Sequence, residues 1–166
     1  LEIQKTDTIT RVRYMGETPI LPGCYLQVRA RVKCLSGVFP SVRIAAWAGG
    51  AGGVNVTGVV QTGATTTLDT YGEVVEVSAI VGTGARGGVD MVWGTEALYG
   101  HFGIDLTGAN GGIIRVDDIE IEDVSGAFLG DRVGSVDVVD YGAIPDGITD
   151  SAAAFEAADS AAQGRE

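Results

Sequence analysis

The chain has 166 residues, 45% of them apolar and 7% aromatic, enough for one full core with chain left over. Its 26 glycines, against four prolines, keep no three-residue period, which excludes a collagen-like chain and points to many short strands joined by tight turns. A formal charge of −11 sets the chain against phosphate backbones and argues against nucleic acid as a partner, and no run of about 18 apolar residues is present to span a membrane.

The opening LEIQKTDTIT lacks the basic-then-apolar layout of a secretion signal and has no initiator Met, so the sequence reads as a fragment cut at both ends. Charge is unevenly spread: residues 1–43 carry seven of the 11 bases and only three of the 22 acids. The acid-rich remainder serves solubility, with cation binding at its DD and DxE clusters as the functional alternative.

From Gly23 to Cys34 the even positions read Cys, Leu, Val, Ala, Val, Cys and the odd ones from Tyr25 read Tyr, Gln, Arg, Arg, Lys. That period of two predicts one long half-buried strand. Ten steps at about 3.4 Å place Cys24 and Cys34 roughly 34 Å apart, beyond disulfide reach, so both are expected inside as free thiols. After Phe39-Pro40, Val42, Ile44, Ala46 and Ala48 alternate with Arg43, Ala45 and Trp47 in a second strand, closed by a turn at residues 48–53.

Further strands are expected near Val54–Val60, Gly72–Val81, Val89–Trp93, Gly100–Leu106 and Ile113–Ile121, with a polar Thr-rich connector over residues 62–67. The apolar phase flips from even (Ile114, Val116) to odd (Ile119, Ile121), which predicts a β-bulge at Asp117-Asp118. Seven or more such strands without an amphipathic helix fit a two-sheet sandwich of jelly-roll type, with a closed barrel as the alternative.

Beyond Val124 the character changes. A linker over residues 125–135 leads to a short strand at Val136–Val139, and Thr149 or Asp150 is placed to cap a helix from Ser151 to Gln163, ending at Gly164. Ala154, Phe155, Ala158, Ala161 and Ala162 share one face of that helix, and so much alanine lets it lie close to a flat surface.

Catalytic chemistry finds little to work with. His101 is the sole histidine, both cysteines fall on the core face, and Glu120 with Glu122 reads better as a solvated face than as a glycosidase pair. Sugar binding asks for less: an aromatic ring for the apolar face of a pyranose and polar groups for its hydroxyls. Trp47 shares the outward phase with Arg43, while Tyr99, His101 and Asp105 share one face of another strand, so these five are the candidate carbohydrate-binding residues. Trp93 is in phase with Val89 and Met91 and is assigned to the core. The glycine-rich turns at residues 49–53 and 108–112 lack the strand, Lys and helix of a phosphate loop.

Residues 136–158, VDVVDYGAIPDGITDSAAAFEAA, resemble the opening motif of the pectate-lyase-like right-handed β-helix family, V-x-D-[FY]-G-A-x-x-D-G-x-T-D-[DS]-x-x-A-[FI]. The resemblance implies that this strand and helix cap the first coil; it covers only about residues 136–163, and that family's catalytic residues lie in later coils, so none is carried over. Val116-Asp117-Asp118-Ile119-Glu120-Ile121 resembles the final strand of carbohydrate-binding-module jelly rolls. That likeness implies a structural calcium with Asp117 as an approximate ligand, and no other cofactor.

A jelly roll followed by a β-helix is similar to the spike and fibre proteins of tailed phages and of phage-like gene transfer agents, as are the stretches LEIQKTD, RYMGETP, LPGCYL and PSVRIAAWAGGAGG. This resemblance implies a virion or phage-like particle assembled in the cytoplasm, in which the domain attaches the fibre to the particle, binds host surface polysaccharide or does both, with other virion proteins and that polysaccharide as partners and a homotrimer formed through the β-helix. The alternative is an accessory carbohydrate-binding module of a secreted polysaccharide-degrading β-helix enzyme. The sequence thus predicts an all-β, non-enzymatic chain: a jelly-roll β-sandwich over residues 1–124, a linker over 125–135, and the capping strand and helix of a truncated right-handed β-helix over 136–166.

Overall fold

A computed structural model describes residues 1–131, 136, 138–141, 143–144 and 146–162. The chain divides into two compact units, Leu1–Val124 and Ser125–Glu166. The first is an all-β sandwich of ten strands: β1 (Glu2–Gln4), β2 (Thr10–Arg13), β3 (Thr18–Pro19), β4 (Tyr25–Ser36), β5 (Ser41–Gly49), β6 (Thr66–Thr67), β7 (Val75–Gly82), β8 (Met91–Val92), β9 (Tyr99–Thr107) and β10 (Ile113–Asp123). The first sheet runs β1-β10-β4-β7-β8; the second runs β2-β9-β5-β6, with β3 also on β9. Every pairing is antiparallel except β7 with β8. The chain passes back and forth between the two sheets, so both build one core.

The period of two does most of that work. On β4, Leu26, Val28, Ala30, Val32 and Cys34 are buried, facing Val42, Ile44, Ala46 and Ala48 of β5 and Phe102, Ile104 and Leu106 of β9 within one hydrophobic cluster. The other face of β4 is solvated, and its bases are tied to acids on neighbouring strands: Arg29 to Glu120 (3.2 Å) and Glu122 (2.9 Å), Arg31 to Glu76 (3.7 Å). Tyr25 breaks the pattern. Its ring is buried over Gly82, where a Cβ would lie 2.3 Å from it, and its hydroxyl accepts from Arg86 Nε at 2.7 Å. Both cysteines are free; Cys34 is buried and Cys24 half-buried at the rim of the core. Trp93 is a core residue, stacked on Phe102 at 5.4 Å with its Nε1–H donating to Val60 O at 2.8 Å.

The strand expected at Val54–Val60 does not form. Residues 51–53 make a 3-10 turn, and the chain then follows β5 through single bridges, Asn55 to Gly49 and Thr62 to Ala45. Gly53 (φ 77°) and Gly58 (φ 82°) take left-handed backbone here, incompatible with a continuous ladder. Strands β1, β2 and β3, of three, four and two residues, are too short to show a period in sequence; their neighbours impose them. Lys5, wholly buried, fastens this segment by donating from Nζ to Asn110 Oδ1 at 2.6 Å.

The bulge lies where the phase flips. Asp117 pairs with Arg31 and Ile119 with Ala30, which leaves Asp118 unpaired at φ 48°. Ile119 and Ile121 therefore still pack on the core.

In the second unit, Ser125–Asp131 is a 3-10 helix within the expected linker, and Val138–Tyr141 is another that overlaps the end of the capping strand expected at Val136–Val139, of which Asp137 lies outside the described residues. A strand needs a neighbour to complete its hydrogen bonds. Ala143 N–H donates instead to Val138 O at 3.1 Å, and the described residues form no β-helix coil. Helix α1 (Ala152–Ala162) does form, with Ala154 and Ala158 buried, though Phe155 of the expected face is 57% exposed. Asp150 Oδ1 accepts the Ala152 N–H at 2.9 Å; Thr149 instead serves Asp146. Gln163 and Gly164 lie outside the described residues.

A left-handed non-glycine residue costs about 1 kcal/mol, and the exposed Asp118–Arg31 pair, at 3.8 Å, returns little of it. Asp118→Gly is therefore expected to raise stability by up to about 1 kcal/mol and Asp118→Val to lower it by more than about 1 kcal/mol, read from urea midpoints. Asp146 accepts from the Thr149 hydroxyl and from the Thr149 and Ile148 amides, which lowers its pKa from 3.8 to about 2. The carboxylate thus holds its turn above pH 3.8 and releases it as pH falls through about 2. An NMR titration should find that midpoint, and Thr149→Val should move it back toward 3.8.

Candidate functional site

The antiparallel register of the second sheet arranges its outer face in rows. Trp47 of β5 lies beside His101 of β9; the next outward row is Ala45, Gly103 and Arg13; the next is Arg43, Asp105 and Arg11. An aromatic row and a charged row are thus separated by one row, in which Ala45 and Gly103 are small and Arg13 reaches over to the charged row. At Gly103 a Cβ would stand 2.0 Å from Val12 O, so only glycine lets β2 close against β9 here.

The aromatic row is a packed group. Trp47 stacks on His101 with ring centres 5.2 Å apart and 23° between planes, and Tyr99 meets His101 edge-on at 5.5 Å and Trp47 at 6.0 Å. Tyr99 lies over Gly49, its cross-strand partner, where a Cβ would come within 2.3 Å of the phenol ring and 2.8 Å of the Trp47 indole. His101 Nδ1 is 3.3 Å from Gly16 O.

The charged row centres on Asp105, only 3% exposed. Its Oδ1 accepts from Arg13 at 2.6 Å and its Oδ2 from Arg43 at 3.2 Å, while Arg13 also donates to Ile104 O at 2.6 Å. Both carboxylate oxygens are therefore engaged by guanidinium groups, which is what burying a charge requires. Arg43 Nε is buried without a hydrogen-bond partner.

Between the rows lies a cleft of ≈ 580 Å³, lined by Ile9, Arg11, Arg13, Met15, Arg43, Ala46, Trp47, Gln61, Thr62, His101 and Asp105. Four of the five residues picked out in the sequence, Arg43, Trp47, His101 and Asp105, line it; Tyr99 backs the aromatic row from behind. Asp105 differs from expectation in being held by two arginines rather than free to accept from a ligand. Arg11, Arg13, Met15, Gln61 and Thr62 were not foreseen. The TRVR alternation at residues 10–13 is the one signal that could have found the two arginines.

Asp117, the approximate calcium ligand implied by the resemblance, lies away from the cleft. It sits on the other sheet opposite Arg31, between a shallow hollow shared with Lys33 and Arg115 and a second one shared with Asp118 and Leu1. Among the described residues no three His, Cys, Asp or Glu side chains converge on a metal position. Burial pushes the Cys34 thiol up, and that sulfur lies in the core while His101 is on the outer face of the second sheet, so the two do not meet. Glu120 and Glu122 share Arg29 on an exposed face.

No family model matches the chain, and no curated protein matches its sequence. Among solved structures it is similar to the CBM22-1 xylan-binding domain of Paenibacillus barcinonensis Xyn10C, at 12% identity and a TM-score of 0.46, over 63% of this chain and 58% of that one. It is also similar to a CBM4 structure, at 14% identity and a TM-score of 0.39, over 64% of this chain and 68% of that one. The match therefore spans less than two thirds of the first of these domains.

Removing the carboxylate at the centre of the charged row leaves two guanidinium groups facing each other in a nearly closed position. Asp105→Ala is expected to cost about 3 kcal/mol of unfolding free energy in urea titrations. A cost below about 1 kcal/mol would show that the row does not depend on this pairing.

Proposed function

We propose that the sandwich is a non-catalytic polysaccharide-binding domain and that the cleft on its second sheet is the site. The observation that carries this is the row structure: an aromatic edge, Trp47 and His101, shares one cleft with the guanidinium groups of Arg11, Arg13 and Arg43. A pyranose has the matching division, with C–H groups that lie on rings and hydroxyls that hydrogen-bond. The size agrees, since a cleft of ≈ 580 Å³ falls within the range of about 300–1,000 Å³ typical of ligand sites.

The rest of the lining supports the same reading. Gln61 and Thr62 follow β5 along the edge away from β9 and add a neutral amide oxygen and a hydroxyl next to the aromatic row. Met15 adds an exposed apolar wall from the segment after β2. None of these groups is a nucleophile paired with a base, so the cleft holds a ligand rather than transforming it. On a phage-like fibre it would grip host surface polysaccharide, and beside a catalytic domain it would hold that domain's substrate; both roles use this cleft.

Affinity gel electrophoresis of the whole chain against neutral and anionic polysaccharides tests the proposal. At least one should retard the protein, and Trp47→Ala should weaken that retardation by about tenfold or more without changing the far-UV circular dichroism. A wild-type chain that no polysaccharide retards would overturn it.

A further inference from the structure

The cleft has a charge opposite to that of the protein. The chain carries −11 overall, yet the cleft is lined by three arginines, Arg11, Arg13 and Arg43, and one carboxylate, Asp105. Arg13 is committed to the fold: it is 14% exposed, binds Asp105 and donates to two backbone carbonyls, Val12 O and Ile104 O. Asp105 is thereby neutralised, and the surplus positive charge falls on the other two. Arg11 is exposed and has no ion-pair partner among the described residues. Arg43 spends one guanidinium nitrogen on Asp105 and keeps a buried Nε unpartnered. Nothing in the sandwich accounts for that unmet donor.

Position turns this surplus into recognition. Arg11 and Arg43 are both cross-strand partners of Asp105, on opposite sides of β9, so they flank one row at two strand spacings, about 10 Å. An anionic group entering above Asp105 would meet a guanidinium from either side while its sugar ring reaches the Trp47 edge. Screening favours the local charges: at physiological salt the Debye length is about 8 Å, so acids elsewhere on the surface are felt weakly within the cleft.

We propose that the ligand of this cleft is an anionic polysaccharide, its carboxylate or sulfate groups held by Arg11 and Arg43. The inference rests on the polysaccharide-binding reading and names its substrate class. Guanidinium rather than ammonium groups suit it, since their planar donor fork matches carboxylate and sulfate oxygens.

The test is affinity electrophoresis of the whole chain in gels containing polygalacturonate, dextran sulfate or neutral dextran, with and without added sodium chloride. Polygalacturonate, dextran sulfate or both should retard the protein and dextran should not; which anion does so identifies the charged group. Salt should weaken the retardation. Arg11→Gln should lower affinity for the anionic polymer by about tenfold, with Arg11→Lys restoring part of it. Arg11 is exposed and unpaired, so its replacement leaves the fold intact, as an unchanged urea midpoint would verify. Equal, salt-insensitive binding of neutral and anionic polymers, lost in Trp47→Ala, would overturn the anionic assignment and leave sugar binding standing. Retardation by anions that Trp47→Ala leaves unchanged would overturn it as charge attraction alone. Absence of retardation by any polymer would remove both readings.

Discussion

Strand β9 is held on both edges, by β5 along its whole length on one side and by β2 and β3 in succession on the other. That double pairing fixes which residues of β9 face the core and which face out, because a slip of one residue would exchange the two sets. In the observed register Phe102, Ile104 and Leu106 enter the core, and Tyr99, His101, Gly103 and Asp105 turn outward. The cost of a slip is therefore that of expelling three large apolar side chains, several kcal/mol at about 1.5–3 kcal/mol each. The register of the outer face is set by the core beneath it. This is why a cleft can carry an unpartnered Arg43 Nε without threatening the sandwich.

The two sheets treat charge in opposite ways. On the first, ion pairs such as Arg29 with Glu122 and Arg115 with Glu2 join half-exposed or exposed side chains. Such pairs contribute about 1 kcal/mol or less and can be lost without consequence for the fold. On the second, Asp105 has a side chain only 4% exposed, and its two arginine partners are 14% and 25% exposed. There the pairing is obligatory, because a lone buried carboxylate is far costlier than the pair.

The long strands were legible because period-two patterning reports burial directly: Leu26 to Cys34, Val42 to Ala48 and Phe102 to Leu106 alternate without interruption. The phase flip at Asp117-Asp118 was legible for the same reason, since a bulge leaves a one-residue trace in the pattern. Outward placement of Trp47, Arg43, Tyr99, His101 and Asp105 came from that alternation too. Which strands stand next to each other did not, and so Arg11 and Arg13, on a four-residue strand whose place is set by β9, were missed. Val54–Val60 misled in the opposite direction, because its valines look like a strand while Gly53 and Gly58 take backbone that a ladder does not accept. At Val136–Val139 a strand was expected whose pairing partner the described residues do not provide, and Val138–Tyr141 forms a 3-10 helix instead.

The early excess of bases gains its meaning only from the fold. Arg29 and Arg31 come from the same 43-residue stretch as Arg11, Arg13 and Arg43, yet they project from the first sheet, where β7 and β10 bring Glu76, Glu120 and Glu122 alongside. Three of the later acids are thus engaged by the bases of that sheet. In the second sheet β9 supplies a single acid, Asp105, to meet three arginines arriving from β2 and β5. Net charge predicts repulsion of any polyanion, whereas the strand order gathers an uncompensated positive row in one cleft. Where the two disagree, the local arrangement decides at short range, because screening removes the distant charges first.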